Sequence, residues 1–262
     1  MKAIDAHIHL DKYPKDERER IINSLGENQV EALISVSMDL ASCTENLRLF
    51  ENCPRILPAF GYHPEQQLPS DSELDKLFTW IGGNKEKMAA IGEVGLPYYL
   101  RAEDKTGAFS YERYVELLEQ FILFANKFNK PVILHAVYDD APIACGLLEK
   151  HNIEKAHFHW FKGDKKTVER MIANGYHVSF TPDVLYEKET REVADQYPLQ
   201  LMMAETDGPW PFEGRFSGKM THPAMILDVV KELAFIKGIP VEQASSILHA
   251  NTKRFYKLKD IF

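Results

Sequence analysis

Asp5-Ala6-His7-Ile8-His9-Leu10-Asp11 stands directly after a short apolar start and reads as the first strand of an α/β fold. Strand side chains alternate with a period of two, so His7 and His9 share one side and can both face a metal ion at the strand end. An isolated His-x-His carries little weight. Its company carries more: Glu93, His135, His159 and Asp207 each lie at the end of another apolar, strand-like run. Imidazole with carboxylate is a donor set suited to divalent metals.

Working outward, strand-like runs recur at residues 3–5, 32–37, 56–61, 89–92, 132–135, 155–159, 177–180 and 201–205. Helical segments are expected between and after them at 14–27, 42–50, 72–81, 111–128, 141–150, 165–174 and 223–237, the last as the terminal stretch. The clearest is 111–128, where Tyr114, Leu117, Leu118, Phe121, Ile122, Phe124 and Ala125 build a broad apolar face and Ser110 stands in position to cap the start. Eight strand and helix units with right-handed crossovers predict a closed (β/α)₈ TIM barrel. An open doubly wound sheet is the alternative. It concentrates ligands at a switch point, whereas the histidines and carboxylates here are spread over six strands, at the face where a barrel assembles its site.

The 262 residues suit one barrel, so a single domain over 1–262 is expected. A hydrophobic fraction of 45% and a charged fraction of 27% are those of a globular protein, and no run is long and apolar enough for a membrane span. No secretory leader is visible in residues 1–11, and Cys43, Cys53 and Cys145 lack any Cys-x-x-Cys spacing. Free thiols in a reducing compartment, hence a cytoplasmic location, are the expectation. With 39 acidic against 31 basic residues the net charge is -8, which argues against broad electrostatic capture of nucleic acid. It leaves a phosphate substrate open, because divalent cations in a cleft supply positive potential locally.

Glu93 sits in Ile91-Gly92-Glu93-Val94-Gly95-Leu96. A carboxylate has two oxygens and can bridge two ions, which an imidazole cannot, so Glu93 is the candidate bridge. His7, His9 and Asp207 then fall to one ion, His135 and His159 to the other. His157 points to the same side as His159, and the spacing leaves the two as alternatives, with His159 favoured as nearer the strand end. Asp207, before Gly208-Pro209-Trp210-Pro211, is placed to bind a metal and to accept a proton from the attacking water. His63, in Gly61-Tyr62-His63-Pro64, is placed to contact a substrate phosphate or leaving group.

Taken in order, these motifs resemble the TatD family of metal-dependent hydrolases over nearly the whole chain. The landmarks are Asp5 to Asp11, Gly61-Tyr62-His63-Pro64-Glu65, Gly92-Glu93-Val94-Gly95-Leu96-Pro97-Tyr98-Tyr99, Pro131 to His135, His159-Trp160-Phe161-Lys162-Gly163 and Glu205-Thr206-Asp207-Gly208-Pro209. The resemblance implies metal binding by His7, His9, Glu93, His135, His159 and Asp207, and its register at His159-Trp160-Phe161 supports His159 over His157. It implies phosphodiester cleavage, often of DNA. The chain departs from the family pattern where an arginine is usual and Val137 stands, and where Cys-Phe-Ser-Gly is usual and Trp160-Phe161-Lys162-Gly163 stands. Either Lys162 compensates or the pocket has changed substrate.

The expected activity is therefore that of a divalent-metal-dependent hydrolase, a phosphodiesterase or deoxyribonuclease using water activated by two ions. The ions are drawn from Zn²⁺, Mn²⁺, Mg²⁺, Fe²⁺ and Ni²⁺. Catalysis falls to Asp207, Glu93 and His63. The expected partner is a phosphodiester, with single-stranded DNA as a candidate whose bases could stack on Trp160, Trp210, Tyr98 or Tyr99. No membrane and no obligate protein partner are implied. The alternatives are an amidohydrolase or lactonase acting on a small carbonyl compound, and a metal-binding protein without catalysis.

Overall fold

In a computed structural model, which describes residues 2–105 and 109–258, eight parallel strands alternate with helices in a nearly closed barrel. The strands are β1 (Ala3–Ile8), β2 (Val30–Ser35), β3 (Ile56–Phe60), β4 (Ala90–Gly95), β5 (Val132–His135), β6 (Ala156–Phe158), β7 (His177–Phe180) and β8 (Met202–Ala204), each paired with the next. The seam between β8 and β1 is joined beyond the strand ends, where Asp207 N–H donates to His7 O at 2.9 Å and His9 N–H to Gly208 O at 2.8 Å. Deeper in the seam, the Asp5 carboxylate accepts from Thr206 N–H at 3.0 Å.

Among the described residues the helices are α1 (Lys15–Ser24), α2 (Leu40–Asn52), α3 (Asp71–Asn84), α4 (Tyr98–Glu103), α5 (Tyr111–Phe128), α6 (Asp140–Lys150), α7 (Lys165–Ala173), α8 (Lys188–Gln196), α9 (Ile226–Lys237) and α10 (Val241–Tyr256). The periodicity of α5 is as expected: Tyr114, Leu117, Leu118, Phe121, Ile122 and Ala125 are buried, one stripe against the barrel. Ser110 occupies its N-cap position, but its side chain makes no capping hydrogen bond. The segment 223–237 is not terminal, since α10 follows it and packs on β1 and β8. The short helices α4 and α8 likewise lie outside the expected set. A smaller apolar cluster joins Ile34, Ala59, Ile133 and Met203 from the strands to Phe255 and Tyr256 at the end of α10. No helix among the described residues is long and apolar enough to cross a membrane.

Close strand approach at the site end depends on glycine. A Cβ on Gly95 would lie 1.9 Å from the carbonyl oxygen of His135, the acceptor of Leu96 N–H at 2.9 Å. Backbone cannot step aside as a side chain can. Gly95→Ala is expected to destabilise the protein by about 3 kcal/mol, the upper range for an overpacked interior. Gly83→Ala in α3, where an added methyl meets nothing within 4 Å, is the control. Urea midpoints of the two variants decide whether the β4–β5 approach is as unyielding as argued.

Candidate metal centre

The barrel gathers the site from six strands and the loops beyond them. His7 lies inside β1 and His9 one residue past its end, while His135 closes β5 and His159 follows β6. Asp207 comes three residues after β8 and His63 three after β3. Glu93 lies within β4, two residues before its end, because that strand runs farther than its apolar core. The pairing of β4 with β5 shifts register between Ile91 and Val94. At this irregularity Glu93 N–H donates to Ser37 O at 3.2 Å, a local kink of the kind that re-aims a side chain.

All seven predicted residues converge there. Glu93 is fully buried at their centre, and its two oxygens face different partners. Oε2 lies 3.2 Å from His7 Nε2 and 3.1 Å from His9 Nε2. Oε1 lies 3.0 Å from His135 Nδ1, 2.7 Å from His159 Nε2 and 3.4 Å from His63 Nε2. Asp207 Oδ1 completes the first group, 3.3 Å from His7 Nε2 and 3.6 Å from His9 Nε2. Donors that share one ion at about 2.0–2.2 Å stand roughly 3 Å from each other, which is the spacing on both sides of Glu93. Glu93 Oε2, His7 Nε2 and Asp207 Oδ1 are buried and close yet not aligned as hydrogen bonds. Buried polar atoms without hydrogen-bond partners fit coordination. His7, His9 and Asp207 could hold one ion; Glu93, His135 and His159 could hold another.

The electrostatics of the cluster favour positive charge. Burial opposes ionisation of Glu93, but His159, His63 and His7 hold its carboxyl well below the usual range. Burial opposes Asp207 in the same way, and contact with His7 outweighs it. Burial and His159 disfavour a proton on His7, yet Glu93 and Asp207 push its pKa up to about 9. Two buried carboxylates therefore draw positive charge to this point, which imidazolium protons or divalent ions can supply.

His63 differs from the other imidazoles. Glu65 N–H donates to its Nδ1 at 3.1 Å, so the proton of the neutral ring sits on Nε2, facing Glu93 Oε1. That tautomer offers a donor to the cleft instead of a lone pair to a metal.

Two carboxylates with no role assigned from the sequence back the cluster. Glu65 Oε1 lies 3.2 Å from His135 Nε2, and the same side chain accepts from Tyr99 N–H at 2.9 Å and Leu100 N–H at 2.6 Å at the start of α4. Glu205 Oε1 accepts Trp160 N–H at 2.7 Å and faces His159 Nδ1 at 3.7 Å. Glu205 could have been found by period two, since it precedes Asp207 as His157 precedes His159. The Glu65 contact spans 70 residues and leaves no local signal. His157 is committed elsewhere: Nε2 meets Ser179 Oγ at 2.5 Å and Nδ1 meets Tyr256 Oη at 2.7 Å. Ser179 Oγ donates onward to Glu205 Oε2 at 2.6 Å.

The cluster forms the floor of a cleft of about 890 Å³, walled by Tyr99, Val137, Trp160, Tyr186, Trp210 and Phe212 among others. Tyr99 and Trp210 are exposed at its rim.

The family profile described as TatD related DNase matches residues 4–257. An uncharacterized metal-dependent hydrolase of Haemophilus influenzae is 41% identical over 255 residues, 97% of this chain and 99% of that one. An uncharacterized metal-dependent hydrolase of Methanocaldococcus jannaschii is 26% identical over 258 residues, with 98% of both chains covered. Among solved structures, the TatD homolog YjjV of Escherichia coli K12 superposes with a TM-score of 0.86 at 25% identity, covering 98% of each chain. A profile match over nearly the whole chain, a full-length relative and a shared barrel agree that this protein belongs to the TatD family of metal-dependent hydrolases.

Proposed function

We propose that the protein is a phosphodiesterase whose centre holds two divalent ions, with Glu93 as their bridge. The observation that carries this reading is the division of labour on Glu93, with Oε2 turned to His7 and His9 and Oε1 to His135 and His159. Asp207 belongs with the first pair. Ions bound there would supply Lewis acidity and a nucleophile from water at neutral pH. The chain supplies the rest.

Asp207, held ionised by His7, accepts a proton from the attacking water. The water oxygen bonds to phosphorus as the P–O bond to the leaving group breaks. His63 Nε2–H is the donor on the far side of Glu93, positioned to hydrogen-bond the departing oxygen; the proton taken by Asp207 reaches that oxygen through solvent, leaving an alcohol beside a phosphomonoester. The buried floor around Glu93 limits bulk water, which strengthens each of these contacts. The test is turnover by metal-reconstituted protein against phosphodiesters, single-stranded DNA and lactones. Cleavage of lactones but of no phosphodiester would replace the substrate class and keep the hydrolase.

Glu65 gives the reading a second check. An outer carboxylate that accepts the free N–H of a ligating histidine fixes its tautomer and raises its basicity, and losing it costs about 10- to 100-fold in metal affinity. Glu65→Gln is expected to loosen one ion, the one on the His135 side, by that factor. Chelator competition should show one ion released early and one retained.

A further inference from the structure

Much of the charge around the cleft is already spent. Apart from Glu93 and Asp207 it is lined by Glu65, Asp183, Glu187 and Glu213, and its lysines and arginines among the described residues are Lys12 and Lys162 alone. Lys162 Nζ lies 3.5 Å from Asp183 Oδ2, and Lys12 Nζ lies 3.7 Å from Asp11 Oδ2. Lys162 therefore does not stand free to replace an arginine at the position of Val137. Arginines elsewhere on the strand-to-helix connections and helices are engaged too: Arg101 with Asp140 at 2.8 Å and Arg215 with Asp228 at 2.8 Å. A polynucleotide gains its affinity from cations that neutralise successive phosphates, and beyond what the floor would bind this cleft offers only two lysines, each paired with an acid.

One wall is instead aromatic and rigid. The Trp160 ring centroid lies 5.8 Å from that of Trp210 and 5.6 Å from that of Phe212. Trp160 is pinned at both ends, its backbone N–H by Glu205 at 2.7 Å and its indole N–H by Asp183 Oδ2 at 2.5 Å. Asp183 also accepts from Thr181 Oγ1 at 2.6 Å and Thr190 Oγ1 at 3.1 Å. With its lone pairs filled and its side chain buried, Asp183 anchors the indole and has little left for a ligand. Trp160 directly follows His159, so the aromatic wall begins beside the reacting centre.

We infer that the site takes small phosphodiesters bearing a flat ring, a nucleobase or an aryl group, held against Trp160, Trp210 and Phe212, with one phosphate at the floor. Extended single strands are poor substrates. This rests on the hydrolase reading above and narrows its substrate class. A pre-positioned aromatic face suits any ring that can stack, which makes the pocket selective for ring against alkyl and tolerant among bases.

The experiment compares Mn²⁺-loaded protein on thymidine 5′-(p-nitrophenyl phosphate), the thymidine dinucleotide and a long oligothymidylate. The expected kcat/KM per bond is higher for both small diesters, with a salt slope no steeper than the roughly -0.7 of one phosphate. Trp210→Ala, at an exposed position, should raise KM for the thymidine diester about 10-fold or more, with a smaller fall in kcat. Preference for the oligothymidylate with a slope of several phosphates, or an unmoved KM in Trp210→Ala, overturns the inference while the hydrolase reading stands. If fully loaded protein cleaves no phosphodiester, the phosphodiesterase reading fails. Calorimetry with thymidine 5′-phosphate then decides the pocket by itself: binding weakened about 10-fold in Trp210→Ala supports it, and no binding, or equal binding, refutes it.

Discussion

Glu93→Gln is expected to release both ions together, by more than the roughly 10- to 100-fold that losing an outer-shell partner costs. The amide keeps the shape of the side chain, but it removes the charge and turns one of the two oxygens into a nitrogen that cannot coordinate. Each oxygen of Glu93 faces its own histidines at 2.7–3.4 Å, so neither group is spared. Metal analysis after dialysis against graded chelator is the measurement. Two ions retained per chain would show that the histidines and Asp207 suffice and that Glu93 is no bridge. Loss of a single ion would assign it to one side.

Asp207→Asn is expected to cut phosphodiester turnover by about 10²- to 10⁴-fold with metal content restored to the parent's level, the range for losing a general base. Asn keeps an oxygen for the metal and the backbone contacts that hold the loop, Asp207 N–H to His7 O among them. It loses the basicity that His7 sustains. A loaded variant within a few-fold of the parent would leave Asp207 as a ligand only, and the base would have to be another group.

The barrel was legible in the sequence because each strand is an apolar run and the polar residues at its end are of few kinds. His135 and His177 mark an end and a start that fall where expected, giving β5 and β7 their full extents. β1 and β4 run three residues farther than their apolar cores, since His7 and Glu93 are polar residues that belong to strand. In the two longer helices that escaped notice, α8 and α10, the buried stripe is partly polar. In α8 the buried side chains are Thr190, Val193 and Ala194 within a highly charged segment, and α10 buries Ser245, Asn251 and Thr252 beside Leu248 and Phe255. Burial of such polar residues is licensed by tertiary partners, as when Asn251 donates to Leu199 O and Met202 O, and no local pattern announces it. The primary ligand candidates stand out for the opposite reason: a histidine or acid at the end of an apolar run is conspicuous. Of their supports, Glu205 shares the side of Asp207 by period two, whereas Glu65 looks like an ordinary surface acid until the barrel brings it inward.

The seam has a consequence for biosynthesis. Asp207 leaves the ribosome long after His7, and they meet only when β8 docks beside β1. A nascent or truncated chain lacking the last strand can offer His7 and His9 but no complete first group, so it should compete poorly for metal. Ion capture would thus act as a receipt for finished folding. Mass action makes the receipt binding: an ion at 100 times its dissociation constant adds about 2.7 kcal/mol to the closed form. Starving cells of metal should therefore shorten the protein's lifetime as well as silence it.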